Sequence, residues 1–146
     1  MSTRSACRGS RIAWIALDTE GVPGRAFHHA RIPVGNSVLA APLPPDTVGF
    51  ATECFQLLSN DTLVSWSDSS PHRHSVSDEM FVVMEGTVIF TVDGQEVAVA
   101  AGEFCAFPAG LTHGVLRAEP PVRCFVLRAP AVADKDYPSS TDGASA

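Results

Sequence analysis

The sequence predicts an all-β chain folded as an antiparallel sandwich or barrel, and three observations carry that reading. Between about Thr47 and Arg128, short apolar runs alternate with turn residues at even spacing. No segment of this stretch carries a helical period. Asp93-Gly94, set between Thr91-Val92 and Glu96-Val-Ala-Val, is the strongest kind of short-range hairpin signal.

In chain order, residues 1 to about 30 read as an irregular segment broken by Gly21-Val22-Pro23-Gly24. His28 and His29 are adjacent, so their side chains diverge and do not suit a shared metal. Pro33, Pro42, Pro44 and Pro45 make 31–46 an extended arm rather than a helix. Strands are then expected at 50–58, 62–67, 79–84, 87–92, 97–100, 104–107, 113–117 and 123–127, separated by turn residues such as Gly, Pro, Asn, Asp and Ser. The barrel with its arm therefore spans 31–128. Residues 129–146 read as a flexible tail, because Pro130, Asp134, Lys135 and Asp136 lead into a Ser/Thr/Gly/Ala stretch with little to bury.

Composition narrows the function classes. The 146 residues carry 10 Lys+Arg against 16 Asp+Glu, a net charge of −6. No basic cluster exists to displace the counterions of a nucleic acid or an anionic membrane, so neither is an expected partner. Hydrophobic residues make up 45% and charged residues only 18%, against about 25% in an average soluble protein. Such a shortage of charge points to apolar surface covered by a partner, a second copy of the chain being one candidate. The longest early apolar run, Ile12 to Leu17, is too short for a membrane span or a typical signal core despite Arg4, Arg8 and Arg11 before it. Cys7, Cys54, Cys105 and Cys124 form no C-x-x-C pair. They read as reduced thiols of a cytoplasmic protein, the last three as small buried hydrophobes.

Three histidines and a glutamate stand where strands begin. His72 and His74 are two residues apart, which in an extended segment puts both imidazoles on one face. Glu79 follows after Ser75-Val76-Ser77-Asp78, a stretch able to turn it back to the same mouth, and His113 follows Pro108-Ala109-Gly110-Leu111-Thr112. Neutral imidazoles with a carboxylate suit divalent Fe, Mn, Ni, Cu or Zn, and ligand type alone does not choose among them.

Residues 72–86 read His-x-His-x4-Glu-x6-Gly, and residues 102–113 read Gly-x5-Pro-x-Gly-x2-His, with fifteen residues between Gly86 and Gly102. This resembles both halves of the cupin signature at the short spacing of small single-domain microbial members. The resemblance implies a small antiparallel jelly-roll barrel holding one metal through His72, His74, Glu79 and His113. Two positions depart from the pattern: Trp66 stands where glycine is expected, and Arg117 where asparagine is expected. The run from His74 to Gly86, His-Ser-x-x-Asp-Glu-x-Phe-x-Val-x-Glu-Gly, is similar to that of quercetinase-like dioxygenases. In those, the equivalent of Glu79 both binds metal and takes the substrate proton.

Strand parity refines the site. Phe81 and Val83 share the face of Glu79 and are expected to line the substrate cavity, while Met80, Val82 and Met84 form an opposite apolar face. That second face needs cover from the arm or from a homodimer partner. Arg117 shares the parity of His113 and, without a bulge, also points inward, where it would meet an acidic side chain or an anionic substrate group; pairing within the protein, or a turn outward at the rim, is expected ahead of substrate capture. The resulting expectation is a metal-dependent dioxygenase, iron first, acting on a small enolisable or phenolic molecule. The alternatives are a redox-neutral isomerase, cyclase or lyase, and a non-catalytic ligand-binding protein.

Overall fold

Nine strands and no helix make up the computed structural model, which describes residues 28–44, 47–62 and 68–138. The expected segment 1–27, the strand at 62–67 beyond Thr62, Trp66, Cys7 and residues 139–146 lie outside the described residues. His28 to Ile32 belong to a separate amino-terminal unit and have no regular structure.

The proline-rich arm contains β1, Ser37–Ala41, which pairs in parallel with the two-residue β2, Phe50–Ala51, and antiparallel with β3, Gln56–Thr62. The single strand expected at 50–58 is thus divided. Its break comes where the Cys54 backbone N–H turns back to donate to Thr52 Oγ1 at 3.2 Å, a local bond that competes with strand pairing. β4, Asp68–His74, leads through a short turn into β5, Asp78–Val92. Asp93 (φ 46°) and Gly94 (φ 79°) form the expected hairpin turn into β6, Gln95–Ala100. β7, Phe104–Phe107, β8, His113–Ala129, and the short β9, Lys135–Asp136, complete the chain.

Two long strands organise everything else. β5 runs unbroken through the two strands expected at 79–84 and 87–92, and β8 through those at 113–117 and 123–127. They pair with each other from Asp78↔Ala129 to Val92↔His113. The first half of β5 also pairs with β7 and its second half with β6, while β8 pairs with β4 near its start and β3 near its end. Each long strand therefore serves two layers, a jelly-roll arrangement. Register shifts at Val83/Glu85 and Glu85/Thr87 mark the corner between the layers.

Gly86 makes that corner possible. Its φ of 76° lies in the left-handed region, and a Cβ there would run into the Pro121 carbonyl oxygen and come within 2.9 Å of that of Glu119. Between the layers, Phe81, Val83, Val88, Phe90, Phe107, Val115, Val122 and Val126 form one buried core. Phe81 meets Phe90 edge-on at 4.8 Å between ring centroids.

Three expectations are corrected. Arg117 does not point inward: the partners of Ile89 and Phe90 are Arg117 and Val115, so Leu116 is an extra residue in the ladder and reverses the parity beyond it. Arg117 is exposed and reaches Glu96 at 3.4 Å and Glu119 at 3.8 Å. Cys54 is exposed rather than buried, whereas Cys124 is buried and Cys105 partly so. Finally, 129–138 are not a loose tail, because β9 pairs with β4 (Arg73↔Asp136, His74↔Lys135) and Arg73 binds Asp136 at 3.0 Å.

The corner gives the first prediction. Gly86→Ala should lose about 2–5 kcal/mol of stability, from left-handed strain and backbone displacement together. Gly102→Ala has the same strain but open space around the new methyl and should lose only about 1–2 kcal/mol. Chemical denaturation of both variants checks this, and equal losses would contradict the crowding at the corner.

Candidate metal centre

β4 presents His72 and His74 two residues apart, and the pleat turns both into the interior, where they are 7% and 2% exposed. β8 opens on His113, which lies directly across from His72 in the antiparallel ladder and is 3% exposed. The Ser75–Ser77 turn then brings Glu79, near the start of β5, to the same place. The loop carrying the second motif is pinned to the first: Gly110 N–H donates to the His74 carbonyl at 2.7 Å, and Ala109 N–H donates to Asp78 Oδ1 at 2.9 Å.

The four side chains expected to be ligands are therefore brought together. Their donor atoms lie within 4.8 Å of one another, the one such group among the described residues. Donors around a single ion at about 2.0–2.2 Å lie at most about 4.4 Å apart, close to the spread of this group. His113 Nε2 stands 2.9 Å from Glu79 Oε2, and His74 Nε2 stands 3.7 Å from Glu79 Oε1. His74 Nε2 is buried and has no hydrogen-bond partner. A buried nitrogen with no partner beside a carboxylate suits coordination of a cation.

The opposite edge of each imidazole is already engaged. Nδ1 of His72 faces the Ser70 carbonyl at 3.3 Å, Nδ1 of His113 faces the Leu111 carbonyl at 3.0 Å, and Nδ1 of His74 faces Asp134 Oδ1 at 2.9 Å. Carbonyl and carboxylate oxygens only accept, so each Nδ1 is placed to carry a proton; that leaves the Nε2 atoms of His72 and His74 for the centre, while His113 Nε2 faces Glu79 Oε2. His113 also stacks on Phe107, with centroids 4.1 Å apart and planes 2° from parallel, which fixes its ring orientation.

Burial lowers the His72 pKa below its ordinary value and outweighs the carbonyl of Ser70, which acts the other way. Burial pushes the Glu79 carboxyl up, but the hydrogen bond from His113 and the three imidazoles around it prevail, leaving it lower than usual. At neutral pH the set is thus a neutral His72 beside an ionised Glu79, as metal binding requires. These residues fit a divalent transition metal.

Phe81 and Val83, expected to line a substrate cavity, are instead core: Val83 has no exposed surface and Phe81 packs against Phe90 and Phe107. Phe107, rather than Phe81, is stacked on a site histidine. Arg117 is not part of the cluster. Asp134 was missed by sequence reasoning, and so was Tyr137, whose ring centroid lies 6.0 Å from that of His72. Burial raises the Asp134 carboxyl, but the Ser77 and Val76 N–H groups and His74 hold it well below the usual carboxylate range. Cys105, outside the centre, is pushed up to about 11 by burial and stays a thiol.

Residues 64–127 match the family model described as Cupin domain. No curated protein matches the sequence. Among solved structures, a cupin protein from Bacteroides fragilis superposes with a TM-score of 0.57 at 16% identity, covering 82% of this chain and 96% of that one. KdgF from Halomonas sp. gives 0.51 at 19% identity, covering 68% and 80%. Streptomyces Pac13 with uridine gives 0.52 at 14% identity, covering 62% and 72%. At such identities the likeness to solved structures is one of fold. Signature, barrel and family model agree: this chain carries a small cupin domain.

Proposed function

We propose that the protein is a metal-dependent enzyme, a dioxygenase acting on a small enolisable or phenolic molecule. The observation that supports this most is the state of Glu79. Its side chain is 12% exposed, against 2% for His74 and 3% for His113, so it is the most accessible of these three groups. Its Oε2 is engaged by His113, while Oε1 is too far from His74 for a hydrogen bond.

A divalent ion held by three neutral imidazoles and one carboxylate would keep one net positive charge and would favour an enolate or phenolate, and iron would add electron transfer to dioxygen. His72, His74 and His113 would hold that ion by their Nε2 atoms. Glu79 Oε1 takes the proton as the substrate ionises, giving this side chain the roles of ligand and base. Phe107, stacked behind His113, backs the site with an apolar wall that excludes water.

A redox-neutral reaction is the second reading. It is favoured by the fold likeness to Pac13, described as a nucleoside dehydratase, because dehydration needs acid–base chemistry without an oxidant. Among the described residues, Cys54, Cys105 and Cys124 are free thiols, which supports a cytoplasmic location. Among the described residues no helix is long and apolar enough to cross a membrane.

The outer face supports a homodimer. Val82 pairs with Phe104 and Phe125, and Met80 with Ala106 and Leu127, so apolar side chains line up across three strands. Phe104 is 67% and Met84 55% exposed, and a groove of about 220 Å³ beside Met80, Ala106 and Leu127 continues the patch.

Oxygen uptake with phenolic, flavonol and β-dicarbonyl compounds tests the activity. Iron-loaded wild type should consume oxygen and the zinc-loaded protein should not; turnover with zinc would select the redox-neutral reading. Saturable binding without turnover under any metal would reduce the protein to a ligand-binding one. Glu79→Gln should keep its metal within about tenfold in affinity yet lose about 10²–10⁴-fold in turnover, and undiminished turnover would exclude Glu79 as base. Light scattering should find a dimer that Phe104→Glu converts to monomer; a wild-type chain monomeric at every concentration would overturn the assembly.

A further inference from the structure

The carboxyl-terminal segment holds His74 by the only arrangement of donors and acceptors that Asp134 allows. Asp134 Oδ2 accepts the backbone N–H of Val76 at 2.9 Å and that of Ser77 at 2.7 Å. Oδ1 faces His74 Nδ1 at 2.9 Å. The main chain beside it is tied as well, since Ser75 N–H donates to the Asp134 carbonyl at 3.2 Å and Ser77 Oγ–H to the Pro130 carbonyl at 2.8 Å. The Asp134 side chain is 5% exposed, and that of His74 2%. Water has little access to this pair, so protein groups alone decide where the imidazole proton sits.

We infer that Asp134 is a positioning residue for the metal centre: it fixes the proton of His74 on Nδ1 and so keeps the Nε2 lone pair aimed at the ion. This rests on reading His72, His74, Glu79 and His113 as a metal site. Two fixed N–H donors converge on Oδ2, so an asparagine at 134 must turn its oxygen to them. Its amide N–H then faces His74 Nδ1, which must become an acceptor. The proton moves to Nε2, where it competes directly with the metal. An isosteric change that preserves the turn would thereby reverse the tautomer of a ligand.

The segment that carries Asp134 is also part of the site's surroundings. Tyr137, three residues on, lies beside His72, and Lys135 Nζ lies 5.4 Å from the Tyr137 ring centroid. Asp136 binds Arg73, which lies between the two β4 ligands in sequence. Asp136→Asn weakens this exposed tie of the carboxyl-terminal segment without touching His74, and so separates attachment of the segment from control of the tautomer.

The experiment has two readouts. Nitrogen-15 NMR of the imidazoles in metal-free protein should find the His74 proton on Nδ1 in wild type and in Asp136→Asn, and on Nε2 in Asp134→Asn. Zinc titration against a competing chelator should find Asp134→Asn weaker by about 10- to 100-fold and Asp136→Asn within about threefold of wild type. A neutral wild-type His74 protonated on Nε2 overturns the proposal whether or not the variants fold. So does an Asp134→Asn protein that binds zinc as tightly as wild type. Failure of wild type itself to bind any divalent metal would instead remove the metal site, while the NMR result still decides whether Asp134 sets the tautomer.

Discussion

Everything at this centre depends on which way three imidazoles point. A histidine ring has two nitrogens, and only the one without a proton can bind a metal, so an acceptor on the far side must take the other. Here the Ser70 and Leu111 carbonyls and the Asp134 carboxylate serve as those acceptors. Two of them lie two residues before their own histidine, so β4 and the approach to β8 provide them locally. The third comes from 60 residues away and needs the whole barrel to be in place. Pairing of β4 with β8, and the loop bonds from Gly110 and Ala109, hold the parts in register.

The surroundings make such a polar cluster tolerable. Four ionisable side chains above an apolar core would be costly if any were charged alone or left without partners. Burial keeps His72 neutral, and the imidazoles around Glu79 stabilise its negative charge. His74 Nε2 is the one fully buried polar atom of the cluster that has no hydrogen-bond partner. Its position, facing Glu79, suits a cation shared between the two groups. A metal there would link β4, β5 and β8, so binding and folding stability should be coupled.

Much of this was legible in the sequence because it follows short-range rules. The two-residue period of a strand put His72 and His74 on one face, and Asp93-Gly94 marked its hairpin. Glu79 and His113 were found through motif spacing. Arg117 was misplaced because parity holds only while the ladder is regular, and an extra residue at Leu116 leaves no trace in the hydrophobic pattern. The four strands that merge into β5 and β8 look separate because Gly86 and the Pro120-Pro121 pair read as breaks, whereas here they bend strands that continue. Asp134 was invisible for a different reason. Its segment is held by hydrogen bonds and ion pairs rather than apolar burial, and those leave no periodic signal in a polar, proline-bearing stretch.

The central claim is that these three imidazoles and one carboxylate share a single divalent ion. Metal analysis of protein purified without oxygen, followed by X-ray absorption spectroscopy at the edge of the bound metal, tests it most directly. The account predicts one metal ion per chain, with three imidazole nitrogens and carboxylate oxygen among its ligands at about 2.0–2.2 Å. A chain that takes up no divalent metal, or one whose bound metal shows fewer than three imidazoles, would contradict it.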